Sequence, residues 1–408
     1  MMNKEKLKIA QQVMKDENIP FWIIYAEEGR DPTFERLIGP HVVPAVLVVS
    51  QRAHRTIVSS LDADNIEEDK MWTYSGQSRH SIESLINRAL RELHFDPRER
   101  PEQTIAFNYS TMRDAKTDLL GYGVAKHVMK SIRDHFGSFK HQSAEAVIYG
   151  MYDRKSPDEL KKMTIAAQRA DEILKVTFRD LQPGTTEKQA YQLVHSIMNR
   201  NSAWTANCGV VKEELAWAAN HCPVVLTGPN FAKGGHAGAS DTQIMPGHTV
   251  YFDFGVKLTF KDGTSWCSDI QRMGYVLRGD ENRAPFEVQK VFNVLVKSID
   301  VGIAALRPGV KGYMVDEASR KIVVDAFGVN YDHATGHSLG ESTHSPGTRL
   351  TGRQNPLSHL KVQPWGVYTI EPRVKIDNGG SIEEDVVVVP NGPNYTLCER
   401  QKELIYIR

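Results

Sequence analysis

An aspartate stands inside a strongly apolar run in the stretch Thr249-Val-Tyr-Phe-Asp253-Phe-Gly255. The aromatic and β-branched residues of this stretch predict a β-strand with at least one buried face. An ionised carboxylate in such a place is unfavourable unless hydrogen-bond donors or a cation compensate it. This acid is therefore either a hydrogen-bonded structural group or part of a charged site.

Three more acids occur in similar apolar surroundings further along the chain. They stand in the strings Cys267-Ser-Asp269-Ile, Val367-Tyr-Thr-Ile-Glu371-Pro and Ser381-Ile-Glu383-Glu-Asp-Val-Val. Each string again predicts a strand with a buried face. A single acid of this kind is commonly structural, but four of them need a common explanation. Two divalent cations would balance the four negative charges.

A cluster of histidines lies between the second and the third of these acids. It comprises His333, His337 and His344, with Gly336 and Gly340 beside them. An isolated histidine is more often structural than a ligand, but three close together favour a site, because glycine lets backbone segments approach closely. Carboxylates with one imidazole suit manganese, cobalt, iron or zinc.

The residues in this order resemble the pita-bread dinuclear metallopeptidases, which include methionine aminopeptidase, Xaa-Pro aminopeptidase, prolidase and creatinase. The resemblance covers about residues 156–408. The matching strings are Phe252-Asp-Phe-Gly255, Ser268-Asp-Ile-Gln-Arg272, Thr335-Gly-His-Ser-Leu-Gly340, Ile370-Glu-Pro372 and Ile382-Glu383.

The resemblance implies a metal-binding role for five residues. Asp253 would chelate one ion with both oxygens, and Asp269 and Glu383 would bridge two ions. His337 and Glu371 would complete one ion each. Glu371 would also act as the general base and acid for a water molecule that bridges the ions. The implied cofactor is a pair of divalent ions, with manganese favoured and cobalt, zinc or iron as alternatives.

Three histidines receive catalytic roles from the same resemblance. His236 lies 17 residues before Asp253 and would line the substrate pocket and stabilise developing charge. His344 would contact the substrate, and His333 would stand behind the ligands. On residue type alone, His236 reads as an exposed loop histidine.

The chain departs from the family pattern at several positions, which bear on the substrate more than on the metal. Gln271 replaces the usual threonine, Ser381 replaces an arginine common in Xaa-Pro enzymes, and Ser345 replaces an acid. The spacing of 16 residues between the two aspartates also predicts a longer hairpin, enlarged near residues 261–263.

The expected fold class is α/β followed by α+β. Residues 1–150 alternate helical and strand-like patterns, which fits the creatinase-like α/β domain of prolidase and its relatives. Residues 156–408 would form the pita-bread catalytic domain with pseudo-two-fold symmetry. Its first helix is predicted from Ser156-Pro-Asp-Glu159, which carries a capping box and a proline at the first helical position, and is predicted to end at Pro183-Gly184.

A short internal repeat is consistent with that symmetry. Leu181-Gln-Pro-Gly184 precedes a helical pattern over residues 187–198, and Leu306-Arg-Pro-Gly309 precedes another over residues 314–326. Both strings follow a long amphipathic pattern. Duplication and chance similarity of four residues both explain the echo.

Composition limits the classes of partner. The 408 residues contain 50 lysines and arginines and 50 aspartates and glutamates, so the formal net charge is zero. This gives no electrostatic case for nucleic acid or an anionic membrane. The four cysteines have no zinc-finger spacing, and neither a signal peptide nor an apolar span of about 18 residues is evident. We expect a cytoplasmic protein with reduced thiols, a small peptide or small-molecule substrate and, from the resemblance, a homodimer.

The function expected from these features is hydrolysis of a C–N bond. An Xaa-Pro peptidase, either a dipeptidase or an aminopeptidase, is the first hypothesis. A non-peptidase hydrolase of the same fold is the alternative, acting on a small amidine or cyclic substrate as creatinase or ectoine hydrolase does. A catalytically silent module that binds peptides or proteins is a further alternative, which the complete ligand set disfavours.

Overall fold

The computed structural model of the chain describes residues 2–75, 79–200, 203–217, 221–232 and 238–408. The chain divides into two compact units, Met1–Tyr152 and Asp153–Arg408. Within the described ranges, no helix combines the length and the apolarity needed to cross a bilayer.

The first unit contains a six-stranded mixed sheet in the order β4-β3-β2-β1-β5-β6. The strands are β1 (Phe21–Ala26), β2 (Ala45–Ser50), β3 (His54–Ser59), β4 (Met71–Tyr74), β5 (Thr104–Phe107) and β6 (Lys140–Ser143), and the helices are α1 (Lys4–Asp16), α2 (Pro32–Leu37), α3 (Arg79–Glu92), α4 (Tyr122–Phe136) and α5 (Glu145–Asp153), with a 3-10 turn at Ala63–Asn65.

The central strand β1 is buried along its whole length. Trp22 and Ile24 pack into the apolar cluster on one face of the sheet, while Phe21, Ile23 and Tyr25 pack into the cluster on the other face. Alternate residues of a strand point to opposite faces, so a continuous apolar run is expected where both faces are covered. Strand β2 begins at Ala45, and Val42, three residues before it, is 60% exposed.

The second unit combines helices with several small sheets. The helices are α6 (Pro157–Asp180), α7 (Glu187–Met198), α8 (Ala203–Asn207), α9 (Phe286–Ala305) and α10 (Gly312–Phe327), with 3-10 turns at Gly228–Ala232 and Pro356–His359. The strands are β7 (Val210–Leu215), β8 (Val224–Thr227), β9 (Thr249–Phe254), β10 (Val256–Phe260), β11 (Ser265–Cys267), β12 (Ile270–Val276), β13 (Gly336–His337), β14 (Arg349–Leu350), β15 (Val367–Ile370), β16 (Arg373–Val374), β17 (Gly380–Ser381), β18 (Glu384–Val387), β19 (Tyr395–Thr396) and β20 (Ile405–Ile407).

The predicted helix boundaries are close to those observed. Ser156 and Glu159 form both hydrogen bonds of the predicted capping box at the start of α6. The helix ends at Asp180, three residues before the predicted proline, because the Leu181 backbone is already extended. Helix α7 has the predicted bounds, and α10 begins at Gly312, two residues earlier than predicted.

The internal repeat corresponds to a repeated structural unit. In both copies the glycine adopts a positive φ, +90° at Gly184 and +87° at Gly309. The amide of Gly184 donates to the Ile244 carbonyl at 2.7 Å, and the amide of Gly309 donates to the Val362 carbonyl at 2.9 Å. Each turn leads from a long helix to a shorter one and ties both to the segment before a strand, β9 in one half and β15 in the other.

Each half supplies two acids at the ends of a strand pair. Asp253 lies within β9, Asp269 directly precedes the antiparallel β12, Glu371 directly follows β15, and Glu383 directly precedes the antiparallel β18. The sequence placed all four acids inside strands, which is wrong for three of them. The reason is that their backbone amides donate elsewhere: to the Asp385 carboxylate and to the carbonyls of Thr335 and Gln271, respectively.

Candidate metal centre

Three residues that are far apart in the chain meet in the second unit. One ligand atom each from Asp269, His337 and Glu383 lies within 4.8 Å of the others. All three side chains are buried. His337 Nε2 lies 3.5 Å from Asp269 Oδ2. This spacing suits a shared cation, because ligands at about 2 Å from one ion lie roughly 3 Å apart.

The other two predicted ligands line the same space. Asp253 and Glu371 border a cavity of about 530 Å³ together with the three residues above. His337 Nε2 lies 3.8 Å from Glu371 Oε1. The Tyr251 hydroxyl donates to Asp253 Oδ2 at 3.4 Å. The structure therefore brings all five predicted ligands to one cavity, while their individual roles stay predictions.

The carboxylates of this cavity lie close together and are buried, and Arg373 and Arg349 of the cavity wall offset their negative charge only in part. Burial raises the pKa of Asp269 to about 8. Burial, with repulsion from neighbouring carboxylates, raises the pKa of Asp253, Glu371 and Glu383 well above the usual range. Among the described residues, neither side-chain oxygen of Glu383 has a hydrogen-bond partner. An oxygen-rich set with orphaned buried acceptors fits divalent cations.

The tautomer of His337 also suits a ligand. Its Nδ1 lies 3.2 Å from the Ser338 carbonyl oxygen, which can only accept, so Nδ1 carries the proton and donates. The lone pair is therefore on Nε2, the atom that faces Asp269 and Glu371. A second hydrogen bond of this kind orients the ring of a metal-bound histidine.

A close backbone approach places His337. A Cβ atom at Gly336 would lie only 1.9 Å from the Thr369 carbonyl oxygen. Without a side chain there, the His337 amide can donate to Thr369 Oγ1 at 3.1 Å. Glycine at this position is thus a steric requirement, as the sequence indicated.

Helix α10 holds the segment that carries His333. Arg320 pairs with Asp316 and donates to the carbonyl of His333 at 2.8 Å, while Thr335 Oγ1 donates to Asp316 at 2.7 Å. His333 Nδ1 donates to the Ala334 carbonyl at 2.6 Å and lies 4.0 Å from Glu371 Oε2. Burial lowers the pKa of His333 to about 4, so its ring is neutral at physiological pH.

Of the two remaining predicted histidines, only His344 lies within the described residues. His344 is exposed, lines the cavity, and its ring centroid lies 4.4 Å from that of His337. His236 lies outside the described residues. Seven of the eight predicted site residues therefore border one cavity.

Arg272 is a buried residue beside the site, and the sequence alone assigns it no role. Its Nη1 donates to the carbonyls of Gln271 and Glu383 at 3.1 and 3.0 Å. The same guanidinium lies 3.2 Å from Asp171 and 3.5 Å from Glu384. The one sequence signal was an arginine within an apolar strand, which requires buried acidic partners.

Two of the family departures are placed by the structure. The side-chain amide of Gln271 donates through Nε2 to Glu371 Oε2 at 3.4 Å. The residue that replaces threonine therefore contacts the predicted general base. The enlarged hairpin is strands β10 and β11, joined by a turn with Gly263 at φ +81°. Asp262 of this turn forms an ion pair with Lys162.

Comparison with known proteins identifies the family. Residues 161–390, more than half of the chain, match the metallopeptidase family M24. The chain belongs to this family, and the predicted resemblance is confirmed. The description of this family is that of metallopeptidases.

The curated relatives are distant. An uncharacterized peptidase, YqhT, of Bacillus subtilis is 28% identical over 257 residues, which are 62% of this chain and 64% of that protein. An Xaa-Pro dipeptidase of Lactobacillus helveticus is 27% identical over 260 residues, 62% of each chain. The match thus spans slightly less than two thirds of the length of either relative.

Solved structures show the same fold. An X-Pro aminopeptidase from Thermotoga maritima aligns with a TM-score of 0.63 at 18% identity, over 97% of this chain and 100% of that chain. A prolidase from Pyrococcus horikoshii aligns with a TM-score of 0.62 at 19% identity, over 98% and 100%. The predicted fold class is therefore confirmed.

Proposed function

We propose that this chain is a dinuclear metal-dependent exopeptidase that hydrolyses the bond preceding proline. The observation that carries the proposal is the convergence of five ligand-type side chains on one cavity, with both Glu383 oxygens unpartnered among the described residues. The Xaa-Pro dipeptidase among its relatives supports the same substrate class.

Asp253, Asp269, His337, Glu371 and Glu383 are the residues that would hold two divalent ions. Two such ions balance four carboxylates, and the donor set favours manganese, with cobalt, iron or zinc as alternatives. When bound, the ions would lower the pKa of a water molecule and polarise the scissile carbonyl.

Glu371 is the residue proposed to move the proton. Its carboxylate would accept a proton from the attacking water and return it to the leaving nitrogen. The side-chain Nε2 of Gln271, 3.4 Å from Glu371 Oε2, would hold that carboxylate in place. His333 is neutral and lies behind Glu371, so it adds no charge to the base.

The cavity suits a short peptide with a proline ring. Its volume of about 530 Å³ lies in the range of small-ligand sites. Trp217, Val224 and Tyr251 contribute apolar surface to its wall. A prolyl bond has no N–H, so a pocket for it needs ring-shaped apolar surface rather than a hydrogen-bond acceptor at that nitrogen.

Metal analysis with a peptide panel tests the proposal. We expect protein loaded with manganese to hydrolyse glycyl-L-proline and alanyl-L-proline and to leave alanyl-L-alanine essentially intact. Adding alanyl-prolyl-alanine separates dipeptidase from aminopeptidase activity. Turnover of creatine or ectoine without any Xaa-Pro hydrolysis would replace the proposal with the non-peptidase alternative, and absence of bound metal with no turnover would overturn both.

A further inference from the structure

Strands β15 and β18 carry two opposed residues that each accept a hydrogen bond from the backbone of a predicted metal ligand. Thr369 of β15 is the direct antiparallel partner of Asp385 of β18. Thr369 Oγ1 accepts from the His337 amide at 3.1 Å. Asp385 Oδ2 accepts from the Asp269 amide, also at 3.1 Å. Because side chains directly opposite in an antiparallel pair project from the same face, one face of this strand pair fixes the backbone of two ligands.

Asp385 is the last of three consecutive acids that have different partners. Glu383 borders the cavity of the metal centre. Glu384 accepts from the Gln401 amide at 2.9 Å and lies 3.5 Å from the guanidinium of Arg272. Successive side chains of a strand point to opposite faces, so Asp385 points away from Arg272 and back toward the centre. The mechanism described above gives this third acid no role.

The Asp385 carboxylate is buried without a compensating charge. The residue is 0% exposed, and its Oδ1 has no hydrogen-bond partner among the described residues. In the same part of the chain, no basic side chain forms an ion pair with it within 4.0 Å. One backbone amide needs only a neutral acceptor, as the Thr369 hydroxyl shows at the opposed position, so the hydrogen bond alone does not explain an acid. A buried carboxylate of this kind is unfavourable unless a cation lies nearby.

We infer that Asp385 positions Asp269 for metal binding and adds negative charge to the centre from outside the ligand set. This role rests on the function proposed above, in which the ions held by Asp269 would be the missing cation. The hydrogen bond to the Asp269 amide fixes the backbone from which that carboxylate projects. Partners behind a ligand orient it and tune the affinity for the ion. Asp385 thus acts through Asp269, as a positioning residue.

Two substitutions separate the charge of Asp385 from its hydrogen bond. Asp385→Asn keeps an oxygen that can accept from the Asp269 amide, whereas Asp385→Ala removes both the charge and the acceptor. We expect the manganese affinity, measured by calorimetric titration, to fall about tenfold in Asp385→Asn and about 100-fold in Asp385→Ala. The Tm of metal-free Asp385→Asn should stay equal or rise, because this variant no longer buries an uncompensated carboxylate. A purely structural role would instead lower the Tm and leave the manganese affinity unchanged.

Asp31→Asn is the matched control. Asp31 is a buried aspartate of the first unit that accepts from the amides of Thr33 and Phe34 and from the side chain of Asn108. Its substitution should lower the Tm and leave the manganese affinity unchanged. An equal loss of affinity in Asp31→Asn and Asp385→Asn would show a general effect of stability and overturn the inference.

Electron paramagnetic resonance reports whether the two ions still form a pair. The manganese-loaded unsubstituted protein and Asp385→Asn should both show a coupled pair, whereas displacement of Asp269 in Asp385→Ala should give the spectrum of isolated Mn(II). If Asp385→Ala folds poorly, the manganese affinity of Asp385→Asn decides the matter alone.

These measurements need no turnover, so they separate the inference from the proposed function. Weaker manganese binding in Asp385→Asn, with an undiminished Tm of the metal-free form, supports the inference even if no Xaa-Pro bond is cleaved. Two manganese ions bound with equal affinity by the unsubstituted protein and by Asp385→Asn would overturn the inference and leave the proposed function intact. Failure of the unsubstituted protein to bind manganese would overturn both.

Discussion

Gln271 and Glu383 are joined by an isolated antiparallel β-bridge. The backbone amide of Glu383 donates to the backbone carbonyl of Gln271 at 3.2 Å, and the backbone amide of Gln271 donates to the backbone carbonyl of Glu383 at 3.4 Å. The bridge connects β12 of one half of the second unit with β18 of the other. Asp269 lies two residues from one end of it, so the bridge sets the separation of two predicted metal ligands.

Arg272 stabilises this bridge, because it donates to both of its carbonyls. We expect Arg272→Met to lower the free energy of unfolding by about 3–5 kcal/mol, since the buried Asp171 and Glu384 lose their cation. Urea denaturation followed by circular dichroism measures the change. Arg353→Met, which removes an exposed partner of Glu317, is the control and should cost under about 1 kcal/mol. Equal effects of the two substitutions would show that Arg272 is not a structural cation.

Gly336 allows His337 to reach the centre. We expect Gly336→Ala to destabilise the protein by about 1–3 kcal/mol and to weaken manganese binding, because the new Cβ would collide with the Thr369 carbonyl. Thermal unfolding and manganese titration measure the two effects. Gly279→Ala is the matched control, since its Cβ meets no atom within 4 Å. Unchanged manganese affinity in Gly336→Ala would contradict the proposed role of this close approach.

Glu371 is expected to be needed for turnover more than for folding. Glu371→Gln keeps the size of the side chain but removes the proton acceptor, so kcat for an Xaa-Pro dipeptide should fall about 10²- to 10⁴-fold. The circular dichroism spectrum should stay unchanged. Glu317→Gln, at an exposed position paired with Arg353, controls for loss of one acid and should retain activity. A fully active Glu371→Gln enzyme would remove Glu371 from the mechanism.

The stability of the metal-free protein should fall as pH rises. The folded-state pKa of Asp269 is about 8, far above the value of about 3.9 for an unfolded aspartate. Between these values the folded state binds more protons than the unfolded state, so increasing pH favours unfolding. Bound ions require the ionised carboxylates and should reverse this trend.

Melting temperatures with manganese and with EDTA check this prediction. We expect the gap between the two Tm values to widen by at least about 5 °C from about pH 5 to about pH 8. Other buried acids outside the centre, such as Asp31 with its raised pKa, affect both samples alike and cancel in the difference. Parallel curves over this range would contradict a cation-dependent carboxylate cluster.

The sequence predicted most of the ligand set because an ionisable acid within an apolar segment is a local feature of the chain. An acid such as Asp253 or Glu371 beside an apolar strand is visible without any tertiary information. The same holds for Gly336 and His337, which stand next to each other in the chain. The helix starting at Ser156 was likewise predictable, because a capping box is completed within four residues.

The sequence did not predict features that depend on distant partners. Arg272 meets Asp171 across 101 positions, and nothing in the local pattern identifies that acid. The pairing of Arg373 with Ser381 follows from the register of a short hairpin, which spacing alone does not set. The strand limits at Asp269, Glu371 and Glu383 were missed for a related reason, since their amides donate to groups elsewhere in the fold.

The most direct test of the central claim is anomalous diffraction from a crystal of the protein soaked in manganese. The account predicts two anomalous peaks in the cavity, bounded by the side chains of Asp253, Asp269, His337, Glu371 and Glu383. A well-ordered crystal without manganese peaks among these residues, or with peaks only at other sites, would contradict it.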